Sequence, residues 1–259
     1  MFKIVNGFVA KNIFTNTAKV WRYNTRGDYW VLDIIANKLK QLGKTLPARS
    51  LMFAKFSPDG RRVAYVSEHN IYVEEISTGN INKLTKDGSR KLINGTFDWV
   101  YEEEFSFTKA FAWSPDNRYI AYYRFDESAV KEFTMTNYTG ELYPENVTFK
   151  YPKVGMENSK VSIHIFDTKT KKKVDVDRTS DPDGYIPRIK WTDDPSKLCV
   201  FWMNRHQNHL ELLIANSVSG KTTKLLQEEN KYYIDIHDNL TFLQDGQGFI
   251  WTSEQDGFN

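Results

Sequence analysis

The sequence predicts an all-β chain, a partial β-propeller built from four-stranded antiparallel blades. Three observations predict it. Short runs rich in β-branched and aromatic residues recur along the chain, and several alternate with period two. Clusters of turn-forming residues punctuate them. One unit then repeats: an aromatic residue, a small polar residue, a turn, and successive strands. Sustained helical periodicity is scarce.

The first full unit opens at Phe56-Ser57-Pro58-Asp59-Gly60 and continues through Val63-Ala64-Tyr65, Ile71-Tyr72-Val73 and Ile81-Asn82-Lys83-Leu84. The second opens at Trp113-Ser114-Pro115-Asp116-Asn117 and runs through Ile120-Ala121-Tyr122, with its next strand delayed to Val161. A third begins at Trp191-Thr192-Asp193-Asp194-Pro195 and includes Leu210–Ile214 and Thr223-Lys224-Leu225-Leu226. The fourth begins at Phe242-Leu243-Gln244-Asp245-Gly246 and has only one further strand before Asn259. Anchors near residues 56, 113, 191 and 242 are spaced more widely than the roughly 40–50 residues of common propeller blades, and insertions explain the excess. A repeated four-stranded antiparallel unit points to a propeller. Residues 1–259 therefore read as a propeller fragment, incomplete at each end, of a parent that continues past Asn259. The excess of the second unit, residues 125–160, contains aromatics and little low complexity, and is expected to form an ordered arm. Arg26-Gly27-Asp28 is expected to be a turn between strands.

Composition narrows the function. The 259 residues carry 35 basic and 33 acidic side chains, spread along the chain, which argues against a dedicated nucleic-acid binder with its basic stripe. No apolar run approaches the roughly 18 residues of a membrane span. The single cysteine, Cys199, excludes an internal disulfide and lies in an apolar run as a buried small hydrophobe. His206 and His209 fall near a strand, where residues three apart face opposite sides, so they do not read as metal ligands. No cofactor and no metal are expected.

The densest chemistry is Asp98-Trp99-Val100-Tyr101-Glu102-Glu103-Glu104-Phe105. Three consecutive carboxylates between aromatics suggest a packed acidic segment rather than a solvated turn. Packed neighbouring carboxylates repel and raise each other's pKa unless a cation is supplied, by an arginine or by a bound ammonium.

That segment, followed by Trp113-Ser114-Pro115, resembles the glutamate motif of the dipeptidyl peptidase IV family, within the prolyl oligopeptidases. Trp21-Arg22-Tyr23 with Tyr29-Trp30-Val31-Leu32-Asp33 resembles the family's arginine-bearing loop and the strand after it. Tyr151-Pro152-Lys153-Val154-Gly155 resembles the end of its extended arm. The resemblance covers essentially the whole chain. Arg124-Phe125-Asp126-Glu127 and the single cysteine are closer to bacterial members.

The resemblance implies an eight-bladed propeller, of which this chain is about half, capping an α/β-hydrolase domain. It implies a serine exopeptidase that releases N-terminal dipeptides with proline or alanine second. The catalytic triad would lie in the hydrolase domain, and this chain has no Gly-x-Ser-x-Gly elbow, so no catalytic residue is assigned here and the chain alone is expected to be inactive. Glu103 and Glu104 correspond to the pair that holds the substrate α-ammonium. Arg22 corresponds to the arginine that contacts the substrate carbonyl and steadies that pair. The chemistry fits: an α-amino group has a pKa of about 7.7–8.0 and is mostly cationic at neutral pH, and two carboxylates accept its three donors. Two residues of extended chain span about 7 Å, so an anchored amine acts as a ruler for dipeptides. Glu102 is read as a structural residue beside the pair. The implied partners are peptides with a free N-terminus and a second copy of the parent docked through the arm. The implied location is the periplasm or exterior of a bacterium. Two other readings stay open: a prolyl tripeptidyl peptidase, and a non-enzymatic propeller scaffold that binds proteins.

Overall fold

The structure, a computed structural model, describes residues 2–5, 8–139, 141–177, 183–244, 246 and 248–258, with side chains described from Ala10 onward. Asp245 of the last predicted turn lies outside them. The chain is an antiparallel all-β structure of successive sheets that do not close on one another, as the repeats predict. Among the described residues no helix is long and apolar enough to cross a membrane.

The first sheet begins with β1 (Phe2–Val5), β2 (Phe8–Lys19), β3 (Asn24–Asp33) and β4 (Lys38–Gln41). It continues with β5 (Leu51–Phe56), β6 (Arg62–Ser67), β7 (Asn70–Glu75) and β8 (Ile81–Lys83). Two repeats that the sequence separates are thus joined in one sheet. The reason is the length of β3: its later half, Trp30–Asp33, pairs with β4, while Arg26 and Gly27 reach Met52 and Leu51 of β5. Arg26-Gly27-Asp28 is therefore strand, not turn. Gly27 is required there, because a Cβ would meet the Phe14 ring and the Thr15 carbonyl at 2.6 Å.

The second sheet holds β9 (Leu92–Asn94), then, after the helix α1 (Trp99–Glu104), β10 (Phe111–Trp113) and β11 (Tyr119–Asp126). Next come β12 (Glu132–Asn137) and β13 (Glu145–Lys150), which pair only with each other and form a separate hairpin. The sheet resumes with β14 (Lys160–Asp167) and β15 (Lys173–Asp175). β11 and β14 pair in unbroken register from Tyr119↔Asp167 to Asp126↔Lys160, so the hairpin leaves the blade without disturbing it. A complete four-stranded blade follows: β16 (Tyr185–Trp191), β17 (Lys197–Met203), β18 (His209–Asn216) and β19 (Thr222–Glu229). The last pair is β20 (Thr241–Phe242) with β21 (Phe249–Ile250).

The repeated anchor has a physical explanation. Ser57 and Ser114 are fully buried, and each hydroxyl donates to the aspartate two residues on, Asp59 or Asp116. Each also accepts the backbone N–H that opens the next strand, from Arg62 at 3.1 Å and Tyr119 at 2.8 Å. The anchor tryptophans then stitch sheets together. The Trp113 indole N–H donates to the Lys55 carbonyl on β5 at 3.3 Å, and that of Trp191 donates to the Ala112 carbonyl on β10 at 3.1 Å. The core accordingly lies between neighbouring sheets, with Val66, Ile71, Phe111, Ile120 and Tyr122 packed together across one such interface. Cys199 is fully buried on β17, and burial pushes its thiol up to about 12, which leaves it unreactive.

Candidate functional site

The acidic segment forms α1, a helix of six residues between β9 and β10. Asp98 is its N-cap, an extended residue whose Oδ1 accepts the Tyr101 N–H at 3.0 Å. Its other oxygen, Oδ2, accepts the Ser159 hydroxyl at 2.6 Å. Burial raises the pKa of Asp98, and these two hydrogen bonds oppose the rise. Tyr101 roots the helix. Its ring is buried against Phe105, Phe107 and Phe125, and its hydroxyl accepts the Ile186 N–H from β16 at 2.9 Å. The helix ends where Ser106 takes a left-handed conformation and the Phe107 N–H returns to the Tyr101 carbonyl at 3.0 Å.

Successive helical residues point about 100° apart, so three consecutive glutamates cannot share one face. They take three environments. Glu102 is buried, and its Oε1 accepts the backbone N–H of Arg22 at 2.9 Å. Its Oε2 is buried with no hydrogen-bond partner among the described residues. Glu103 meets the Arg22 side chain: Nε donates at 3.0 Å to Oε1 and 3.1 Å to Oε2, and Nη2 donates to Oε2. Glu104 is exposed, and its charge acts on the nearby Tyr233 hydroxyl, whose pKa is raised by burial, by Asp235 and by Glu104.

Arg22 lies 80 residues before Glu102, in the bend that joins β2 to β3. Its side chain is 62 % exposed while that of Glu103 is 17 % exposed. Hydrogen bonding between the two holds Glu103 below the usual carboxylate range and Arg22 above its own. Glu102 and Glu103 meet Arg22, and Glu104 adds a third carboxylate on the same helix, so acidic groups outnumber the one guanidinium that meets them. The end of a helix, where carbonyls present partial negative charge, adds to that excess. The arrangement is suited to a cation carrying several N–H donors.

Both sides of the site are braced by the hairpin. Trp21, beside Arg22, packs edge-on against Phe149 of β13 with ring centroids 5.6 Å apart. Trp99, the first residue of α1, packs against Tyr151 at 4.4 Å. Phe133 of β12 completes the group, 6.2 Å from Phe149 and 5.7 Å from Tyr151, with the Lys153 ammonium 5.0 Å from its ring.

The structure thus brings Arg22 to Glu103, and carries Glu104 on the same short helix without a contact to Arg22. Sequence reasoning leaves Glu102 as structural, and its buried clamp on the Arg22 backbone is of that kind. It misses Asp98 and Ser159. An aspartate immediately before an aromatic helical turn is a legible N-cap signal. No local signal marks Ser159, which reaches Asp98 across 61 positions.

Comparison with known proteins places this geometry in context. The sequence family described as "Dipeptidyl peptidase IV (DPP IV) N-terminal region" matches residues 10–259. A probable dipeptidyl-aminopeptidase B of Phaeosphaeria nodorum is 31 % identical over 238 residues, covering 86 % of this chain and 26 % of that protein. A probable dipeptidyl-aminopeptidase B of Aspergillus niger is 32 % identical with the same coverage. The chain therefore spans about a quarter of the length of these curated relatives. The crystal structure of Porphyromonas gingivalis dipeptidyl peptidase 4 superposes with a TM-score of 0.90 at 37 % identity, over 99 % of this chain and 36 % of that one. A putative dipeptidyl aminopeptidase IV from Bacteroides ovatus gives a TM-score of 0.74 at 27 % identity, over 90 % of this chain and 32 % of that one.

Proposed function

Because the chain belongs to the dipeptidyl peptidase IV N-terminal region family, we propose that it is the substrate-recognition propeller of a serine exopeptidase that releases N-terminal dipeptides with proline or alanine second. Glu103 and Glu104 hold the substrate α-ammonium, and Arg22 contacts the adjacent peptide carbonyl. The observation that carries this reading is the fork between Arg22 and Glu103. A guanidinium shared with one of two neighbouring carboxylates keeps that carboxylate ionised at neutral pH. A guanidinium has five N–H donors, more than Glu103 accepts here, so some remain for a peptide carbonyl. The dipeptidyl-aminopeptidase names of the relatives agree with the reaction class.

The full-length enzyme tests it. Glu103→Ala and Glu104→Ala should each lower kcat/KM for a peptide with a free N-terminus by at least about a hundredfold, because each truncation leaves a charged partner unpaired. N-acetylation of the peptide should abolish cleavage by the wild type. Variants that cleave free peptides as well as the wild type does would refute the site. We also propose that the parent forms a homodimer through the β12–β13 hairpin, supported by its exposed Met135, Tyr138, Leu142 and Tyr143. A dimer that persists after deletion of the hairpin, read from its mass in solution, would exclude this contact. A periplasmic or secreted location in a bacterium belongs to the same proposal, and the Porphyromonas and Bacteroides matches agree with the bacterial source.

A further inference from the structure

We infer that Phe149, on the β12–β13 hairpin, is a positioning residue for Arg22, so that the hairpin sets the geometry of the amine anchor as well as any contact it makes outward. The inference rests on the reading of Arg22, Glu103 and Glu104 given above.

Arg22 is a difficult residue to hold. It sits in a bend, its side chain is mostly exposed, and among the described residues only Glu103 hydrogen-bonds its guanidinium. A long side chain in that setting samples many rotamers, and freezing them opposes ligand binding. Two contacts counter this from the backbone side. Glu102 accepts the Arg22 N–H from the helix side. The Trp21 ring packs on Phe149 from the hairpin side. The bend itself is closed by the Val20 N–H on the Tyr23 carbonyl at 3.2 Å, and its tip at Arg22 is held against the rest of the fold by one contact to α1 and one contact, through its neighbour, to the hairpin. Tyr151, two residues beyond Phe149 and just past the end of β13, packs on Trp99 at the start of α1. One strand end thus touches both halves of the anchor, the arginine loop and the acidic helix. Neither aromatic touches Arg22, Glu103 or Glu104 in the contacts described, so any effect must pass through Trp21 or Trp99.

Mere adjacency does not establish coupling, and a double-mutant cycle measures it. In the full-length enzyme, Phe149→Ala should lower kcat/KM for a free-amine peptide about tenfold. In an Arg22→Ala background the same change should cost less than about twofold, because the group it positions is gone. Phe149→Tyr, which keeps the ring, should retain near wild-type activity. Phe149→Leu, which keeps apolar bulk without the ring, serves if the alanine variant does not fold, and should behave as the alanine variant. A residue of merely structural importance would give the same loss in both backgrounds, and that result, or no loss at all, overturns the inference. The two readings fail separately. If Arg22→Ala is costly while the Phe149 loss is additive to it, only the positioning role falls. If Arg22→Ala is silent, the anchor assignment falls and takes this inference with it.

Discussion

Ser159, just before β14, donates its hydroxyl to Asp98 Oδ2 at 2.6 Å and so ties the return of the hairpin to the N-cap of the acidic helix. Asp98 is buried, and its ordinary acidity is opposed by that burial. Removing the hydroxyl with Ser159→Ala leaves a buried carboxylate with one donor fewer. We expect a loss of about 1–3 kcal/mol in the stability of the full-length protein, read from its denaturation midpoint, with Ser159→Thr losing much less. An alanine variant as stable as the wild type would show that Ser159 is not the tether.

Glu127 predicts a pH dependence. It is buried at the foot of the hairpin, and burial together with the charge of Asp98 raises its pKa to about 7, against a weaker opposing effect of Lys150. The folded protein then holds the Glu127 proton more tightly than the unfolded chain does. Falling pH therefore favours folding, and this contribution is lost as pH rises from about 4.5 through about 7. Asp98, raised in the same direction, adds to the slope. Glu127→Gln should be more stable than the wild type near pH 8, by at most about 3 kcal/mol, with the difference shrinking as pH falls and vanishing below about pH 4.5. Melting midpoints measured across that range check it, and parallel profiles would count against a raised carboxyl.

The tryptophan stitches between sheets are separable from the burial of their rings. Trp113→Phe and Trp191→Phe keep most of the apolar surface but remove the donors to the Lys55 and Ala112 carbonyls. Each should destabilise the full-length protein by about 1 kcal/mol through the hydrogen bond and somewhat more through lost volume. Asp116→Ala, in an exposed blade turn, should leave peptidase activity unchanged.

Arg22→Lys tests the fork itself. Lysine keeps the charge but cannot present the planar pair of donors that reaches both oxygens of Glu103. We expect kcat/KM for free-amine peptides to fall about tenfold, as for a bidentate contact reduced to a point charge. Equal activity of the lysine variant would mean that charge alone suffices.

The elements that follow local rules were legible in the sequence. The Ser-Pro-Asp turns, the strands after them, and the resumption of the second blade at Val161 all follow from residue pattern, because period-two burial and turn chemistry act over a few positions. The pairing of Arg22 with Glu103 was legible only through resemblance, since nothing local links residues 81 apart. The turn expected at Arg26-Gly27-Asp28 was misread because glycine there answers a close approach of Phe14 and Thr15 rather than a reversal of the chain. The divergence of the three glutamates follows from α1, whose six residues are too few to show a helical periodicity in the sequence. The contacts of Phe149 and Tyr151 were out of reach, since the return of a hairpin onto distant tryptophans is decided by tertiary packing.

Asp126 and Lys160 face each other as cross-strand partners, although a whole hairpin intervenes in the chain. A tight turn of two residues could join them without altering the ladder on either side. The excursion is thus grafted onto the sheet, and the sheet has no need of it to find its register. What would lose support is the pair of tryptophans beside Arg22 and α1. Such an architecture separates the brace from the sheet: substitutions in the graft bear on Trp21 and Trp99, and through them on the Arg22 bend and α1, without entering the β11–β14 ladder.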